Sequence, residues 1–279
     1  MKQDSGVNAY SSREVVGLLP AGGQGKRIAP LPCSKELFPV GFRPTDDGQS
    51  LRPKAVCHYL LEKMRCAGVR KTYIILREGK WDIPTFLGDG SFFDMHFAYL
   101  MVNRPFGTPY TADQAYPFIQ DAVVAFGFPD IIFQPDDAFV QLLNRQAATG
   151  ADIVLGVFPA YSPEIMDMVD IDRDGRVLSM IKKPERTPLR YAWIFAVWTP
   201  MFTRYQHEFL QKRSIPDLAA RTEPQEELTM GHVLQAAIRD GMHTRAVIFP
   251  DHSYLDIGTP DNLVKAVQGN APQLNLPDV

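Results

Sequence analysis

Leu18-Leu19-Pro20-Ala21-Gly22-Gly23-Gln24-Gly25-Lys26-Arg27, continued by Ile28-Ala29-Pro30 and then by Ser34-Lys35-Glu36-Leu37-Phe38-Pro39, is the stretch from which the rest of this 279-residue chain can be read. The apolar residues Val15, Val16, Leu18 and Leu19 predict a buried first strand. That strand runs into Gly22, Gly23 and Gly25, with Lys26 and Arg27 directly behind them. Glycine tolerates positive φ and lets backbone N–H groups come close to a ligand. Successive N–H groups in such a turn form an anion-binding nest. Lys26, Arg27 and, beyond the loop, Lys35 bring mobile positive charge to the same place. A polyphosphate is the simplest ligand for that arrangement. Two common phosphate loops are excluded. A Walker A loop needs Ser or Thr after its lysine, and Lys26 is followed by Arg27. A dinucleotide fingerprint needs a glycine where this chain has Ile28.

Composition narrows the classes. A chain of 279 residues with 45% hydrophobic content can bury a large core as one extended α/β domain. The net charge of −3 gives no support to nucleic-acid binding through bulk electrostatics. Cys33, Cys57 and Cys66 have no paired short spacing, so reduced thiols are expected rather than disulfides or zinc. The six histidines show no metal-ligand spacing. The segment 1–13 is polar without a signal-peptide core. No run is long enough for a membrane span. A cytoplasmic location is the expectation by elimination.

Downstream, the residues 41–53 are rich in Gly, Pro and Asp and predict a loop. Cys57, Leu60, Leu61 and Met64 follow the spacing of an amphipathic helix that Gly68 can end. Residues 73–76 predict a buried strand, completing a βαβ unit with the glycine loop at the carboxyl edge of a parallel sheet. A short helix over 81–87, a strand over 96–102, a loop over 103–109 and a helix over 110–119 come next. Residues 122–128 are strongly apolar and end at Pro129-Asp130. Asp136 and Asp137 are rival acidic residues, better read as caps of a helix carrying Phe139, Leu142, Leu143 and Gln146. Beyond Gly150 the pattern turns antiparallel. A strand over 152–158 is followed by a hairpin around Asp174-Gly175, by Lys182-Lys183-Pro184, and by a strand over 191–198. Met230, Val233, Leu234, Ala237 and Ile238 form a clean helical stripe with Thr229 as cap and Gly241 as stop. A strand over 244–249, the segment Tyr254-Leu255-Asp256-Ile257-Gly258-Thr259-Pro260 and a helix over 261–267 complete the ordered part. The tail 269–279 is Pro- and Asn-rich, and no hexapeptide repeat is present.

The glycine loop with Arg27, Pro30, Lys35 and the Leu37–Pro39 segment resembles the signature of the sugar-1-phosphate nucleotidylyltransferases. Pro20-Ala21 and Lys35-Glu36 are most similar to UTP–glucose-1-phosphate uridylyltransferases. Gly22-Gly23 and the chain length are more similar to glucose-1-phosphate thymidylyltransferases. Residues 86–95, the Glu226–Thr229 segment and above all residues 254–260 resemble further motifs of the same family, so the likeness runs from about 15 to 267.

That resemblance implies an α/β, Rossmann-like nucleotide-diphospho-sugar transferase fold. Its mixed, mostly parallel central sheet is flanked by helices, with a smaller antiparallel sugar-binding part. A single domain over 14–268 would divide into a nucleotide half (14–150) and a sugar-phosphate half (151–268). The reaction implied joins a nucleoside triphosphate to a sugar 1-phosphate, gives an NDP-sugar and pyrophosphate, and depends on Mg²⁺. The site it implies assigns Ala21, Gly22, Gly23, Gly25, Lys26 and Arg104 to the nucleotide. Arg27, Lys35 and Lys183 serve catalysis, Lys182 and Lys183 the sugar phosphate, and Asp130 and Asp256 the metal.

Several positions depart from the family pattern, among them Pro129, where Gly is usual ahead of the acidic residue. Arg104 stands where a Gln usually reads the base, Asp167 where many members have Gly, Lys182 where a Glu binds sugar hydroxyls, and Ile194-Phe195 where Thr-Gly is usual. The last change predicts a bulkier sugar wall, with Trp193 and Trp198 in the core. Two alternatives stay open: a non-catalytic sensor of nucleotides or sugar phosphates, and a transferase for a non-sugar phosphate such as phosphocholine. Neither nucleic acid nor membrane is an expected partner. Members of the family are commonly dimers or tetramers, which admits a homo-oligomer here.

Overall fold

The computed structural model describes residues 13–45, 48–103, 106–213 and 227–268. Strand β1 (Val15–Pro20) lies at the centre, flanked in parallel by β4 (Lys71–Leu76) and β6 (Val123–Phe126). Strand β5 (His96–Met101) extends the parallel side from β4. Helix α1 (Val56–Cys66) and the buried stretch that follows it carry the chain from β1 to β4, as the periodicity of Cys57, Leu60, Leu61 and Met64 predicts.

The other half of the sheet turns antiparallel at β11 (Tyr191–Trp198), which pairs with β6, β8 (Ile153–Pro159) and β9 (Asp167–Ile171). Strand β10 (Val177–Lys182) closes the hairpin with β9 around the Asp-Gly turn, and β12 (Thr244–Ile248) runs parallel to β8. The antiparallel part is continuous with the central sheet: all these strands form one nine-stranded sheet.

Two apolar cores cover its faces. One contains Leu19, Leu60, Phe133, Phe139, Phe158 and Phe195; the other contains Leu18, Phe126, Trp193, Trp198 and Leu234. Helix α5 (Ala138–Thr149) packs on the first, and α6 (Pro200–Gln211) and α7 (Met230–Arg239) on the second. The N-terminus of α7 carries the predicted cap, a capping box between Thr229 and His232.

Several readings need correction. Residues 41–53 are not a loop throughout: β2 (Pro39–Pro44) and β3 (Leu51–Ala55) pair as an exposed antiparallel hairpin. The helix expected over 110–119 is two short ones, α3 (Thr108–Asp113) and α4 (Tyr116–Ile119), with Pro117 inside the first turn of the second. Proline lacks the N–H that a continuous helix would need there and is suited to a new N-terminus. A small ribbon, β7 (Ile131–Phe133) with β13 (Tyr254–Asp256), stands apart from the main sheet. Helix α2 (Asp82–Leu87) and the last helix, α8 (Pro260–Val267), fall where expected. The three cysteines are free. No helix among the described residues is long and apolar enough to cross a membrane.

Candidate active site

A cavity of about 660 Å³ opens where β1 meets its glycine loop, lined by that loop, Lys35, Asp130, Lys183, Trp193 and Asp256 among others. It takes in residues from both halves of the chain. The Ala21 N–H donates to the carbonyl of Ile75 at 2.8 Å, and after that bond the backbone leaves the sheet. Gly25 then adopts φ +62°, a left-handed conformation that glycine takes without a Cβ penalty. Gly22, Gly23, Gly25, Lys26 and Arg27 all line the cavity. Ala21, also expected at the nucleotide, is not among the lining residues: its N–H is spent on the sheet and its side chain is buried.

Lys35 crosses beneath this loop. A β-carbon placed on Gly23 would lie 3.6 Å from its Nζ. The lysine sits on a single 3₁₀ turn, Lys35–Leu37, fixed on both sides. The backbone N–H and hydroxyl of Ser34 donate to Asp82 at 2.6 and 2.7 Å. Glu36, buried, receives two hydrogen bonds from the Lys80 ammonium, at 2.7 and 2.6 Å. Lys35 itself is ion-paired with Asp130. Burial works against its charged form, but Asp130, Glu36 and Asp256 outweigh that and hold its pKa above the ordinary lysine value. It stays cationic at any physiological pH.

Asp130 and Asp256 meet through the small ribbon. In its register Asp256 faces Ile131, and the Ile257 N–H donates to the carbonyl of Asp130 at 3.1 Å. The Asp256 carboxylate accepts from the Gly258 N–H at 2.7 Å. A β-carbon on Gly258 would lie 2.9 Å from Asp256 Oδ1, 3.1 Å from Arg27 Nη2 and 3.5 Å from Asp130 Oδ2. Both carboxylates and the guanidinium therefore converge on one point, and any side chain placed there would crowd them. Burial raises the pKa of Asp256 and the charge of Asp130 raises it further; the Gly258 N–H, Lys35 and Arg27 pull the other way.

Two hard carboxylate donors with room for phosphate and water oxygens fit a Mg²⁺ ion, which rarely takes an all-protein cage. The rival acids lie elsewhere. Asp136 pairs with the buried Lys63, and Asp137 occupies the N-cap position of α5.

The far end of the cavity belongs to the second half of the chain. Lys183 follows β10 at φ 40° and its N–H donates to the Met166 carbonyl at 3.0 Å. Its neighbour Lys182, expected to share the sugar phosphate with it, is not among the lining residues, and its ammonium lies 3.3 Å from His232 Nε2 on α7. Ile194 lines the cavity, but Phe195 does not contribute to its wall. A β-bulge between Trp193 and Phe195 puts Ile194 and Phe195 together in the first core, where Phe195 stacks on Phe133 at 4.4 Å. Trp193 lies in the second core, and it also forms cavity wall beside Phe128. Arg104 lies outside the described residues. Thr108, Thr111, Gly231 and Gly258 line the site without having been singled out from the sequence. Of these, Gly258 alone carried a signal, its place in a Gly-Thr-Pro motif.

Comparison with known proteins places the chain in a family. A nucleotidyltransferase of low-salt glycan biosynthesis from Haloferax volcanii is 24% identical over 90% of this chain, which spans 65% of that relative's length. A glucose-1-phosphate thymidylyltransferase from Actinoplanes is 28% identical over 90% of this chain and 76% of its own. A Bacillus anthracis protein assigned as a glucose-1-phosphate thymidylyltransferase, solved with sucrose, superposes with a TM-score of 0.73 at 18% identity, covering 95% of this chain and 96% of that one. It shares the fold. The nucleotidyl transferase family pattern matches residues 16–272. That span takes in the glycine loop, both aspartates and Lys183, and the chain belongs to the nucleotidyl transferase family of enzymes.

Proposed function

We propose that this protein transfers a nucleotidyl group from a nucleoside triphosphate to a sugar 1-phosphate. A phosphate oxygen of the acceptor attacks the α-phosphorus, the bond from that phosphorus to the α–β bridging oxygen breaks, and pyrophosphate leaves with the electron pair. The reading rests on one observation: Arg27, Lys35, Lys183, Asp130 and Asp256 all line a single cavity at the glycine loop. Two polyanions must meet there, and catalysis by positioning and charge stabilisation needs no protein nucleophile.

The N–H groups of Gly22–Gly25 cradle the triphosphate, with Lys26 at its solvent side. Arg27, beside the carboxylates, grips the leaving pyrophosphate through paired N–H donors. Lys35, held rigidly by the Ser34 and Glu36 contacts, neutralises oxygens around the attacked phosphorus. Lys183, at the opposite end, anchors the acceptor phosphate. Asp130 and Asp256 would hold Mg²⁺, which when bound supplies charge neutralisation at the phosphate oxygens.

The test is a matrix of nucleoside triphosphates against hexose 1-phosphates, read as pyrophosphate release with and without Mg²⁺. At least one pair should turn over, and Arg27→Ala should abolish it. Nucleotide binding without release across the whole matrix would instead make the protein a sensor.

A further inference from the structure

We infer that Asp167 grips the polyol body of the phosphorylated acceptor and so sets which acceptor is used, an inference that rests on the nucleotidyl-transfer reading above. Asp167 opens β9 and lines the same cavity as Lys183. The Lys183 N–H is bonded to the carbonyl of Met166, the residue before Asp167, so the carboxylate stands beside the lysine proposed to hold the acceptor phosphate. Whatever is attached to that phosphate must pass Asp167.

The surroundings are built for a carboxylate. A β-carbon at Gly231, in the first turn of α7, would lie 2.0 Å from Asp167 Oδ2, so any larger residue there would displace it. Trp193 and Phe128, with ring centroids 5.8 Å apart, supply an aromatic wall to the same cavity. Asp167 Oδ1 is buried and has no hydrogen-bond partner. A buried acceptor left unpaired costs stability, so each one calls for an explanation, a functional role being one. Burial raises the pKa of Asp167, while the Trp193 indole, Lys183, Lys182 and His232 act against that rise.

Those same groups decide the ligand class. Lys183, from within the cavity, and Lys182, across the strand pair from Asp167, already place positive charge near this carboxylate, and a cationic head group would meet their repulsion. A neutral hydrogen-bond donor meets none. Hydroxyls of a sugar or cyclitol phosphate fit, and a quaternary ammonium does not. Asp167 is then a specificity residue that touches substrate, separate from the phosphate-binding cations.

The experiment measures acceptor affinity by calorimetry on the full chain in the presence of nucleotide. The probes are hexose 1-phosphates, myo-inositol 1-phosphate and phosphocholine, the first two separating sugar from cyclitol. The tightest polyol phosphate should bind Asp167→Asn about ten- to a hundredfold more weakly, the worth of a hydrogen bond to a charged group. Affinity for the nucleoside triphosphate should not change. Removing hydroxyls one at a time from the acceptor should cost the wild-type protein affinity at one position or more, and that penalty should vanish in Asp167→Asn. Asp167→Gly serves the same comparison should the asparagine variant fold poorly. Equal deoxy penalties in both proteins, tighter binding of phosphocholine than of any polyol phosphate, or parallel loss of nucleotide affinity would overturn the assignment. A wild-type protein that shows the Asp167-dependent polyol binding yet releases no pyrophosphate would defeat the transfer reading and leave this assignment standing.

Discussion

Asp130 and Asp256 are joined through backbone as well as through charge: Ile257, the residue after Asp256, donates its N–H to the Asp130 carbonyl at 3.1 Å. The ribbon β7–β13 carries that contact and, among the described residues, lies off the main sheet. Its electrostatic consequence is that two like charges share one pocket, with Arg27 and Lys35 as their compensation. Asp256→Asn should cut turnover about a hundredfold or more, on the scale of losing one buried group that stabilises the transition state. It should also leave the ligand-free protein at least as stable as wild type at neutral pH, because it removes a buried charge beside a like one. Steady-state kinetics against Mg²⁺ concentration and a thermal melt check both halves. Retained turnover with unchanged Mg²⁺ dependence would remove Asp256 from the metal site.

Gly258 provides a sharper test of the same geometry without deleting any charge. Its φ lies outside the left-handed region, so alanine meets no backbone strain there, only crowding. The new β-carbon would press on Asp256 Oδ1 at 2.9 Å and Arg27 Nη2 at 3.1 Å. Gly258→Ala should therefore weaken Mg²⁺ activation and lower kcat by tenfold or more, the order that an ångström-scale misplacement costs. Overall stability should fall far less than activity. A variant with wild-type kinetics would show that the three groups do not act together.

The ends of the chain were legible because their chemistry is local. A glycine loop after an apolar strand, and Leu255–Pro260 before a helix, each state their purpose within a few residues. Asp130 was harder, because its partners Lys35 and Asp256 are remote in sequence and nothing nearby names them. Of Ile194 and Phe195, expected together to make a bulkier wall because they stand where the family has Thr-Gly, only Ile194 lines the cavity, and the bulge that puts both in the first core leaves no mark in the sequence. The hairpin β2–β3 was hidden by its Gly, Pro and Asp content, tolerable there because, among the described residues, its strands pair only with each other and are largely exposed. Lys182 and Lys183, separated in the sequence only by resemblance to the family pattern, differ in the structure by the positive φ of Lys183 and the contact of Lys182 with His232.

The turn that carries Lys35 depends on a buried ion pair whose partners both resist charging. Burial raises the pKa of Glu36 and lowers that of Lys80, each opposed by the other's charge. With side chains 3% and 7% exposed, neither can be compensated by water if its partner is lost. Lys80→Met should destabilise the fold by about 3 kcal/mol, as expected when one member of a buried pair is removed. Glu36→Leu combined with Lys80→Met should recover most of that loss while leaving Lys35 less firmly placed. Urea denaturation midpoints measure the stability, and kcat measures the placement. Equal stability of Lys80→Met and wild type would show that the pair is not structural.

His58 makes the fold acid-sensitive at a distance from the cavity. It is 3% exposed, its ring meets Phe93 edge-on at 4.9 Å, and its Nδ1 has no hydrogen-bond partner. Burial first, then the charges of Arg43 and Lys54, lower its pKa from 6.5 to about 4. The folded protein therefore holds this ring neutral while the unfolded chain takes up a proton as pH falls below 6.5. Stability contributed by the neutral ring is complete above that pH and drains away down to about pH 4. The full loss amounts to about 3 kcal/mol. His58→Leu, which cannot titrate, should escape this part of the acid loss. The difference in unfolding free energy between variant and wild type should shift by that amount in favour of the variant between neutral pH and pH 4. Denaturation profiles of the two proteins that ran parallel across this range would mean that His58 is protonated, or solvated, in the native state.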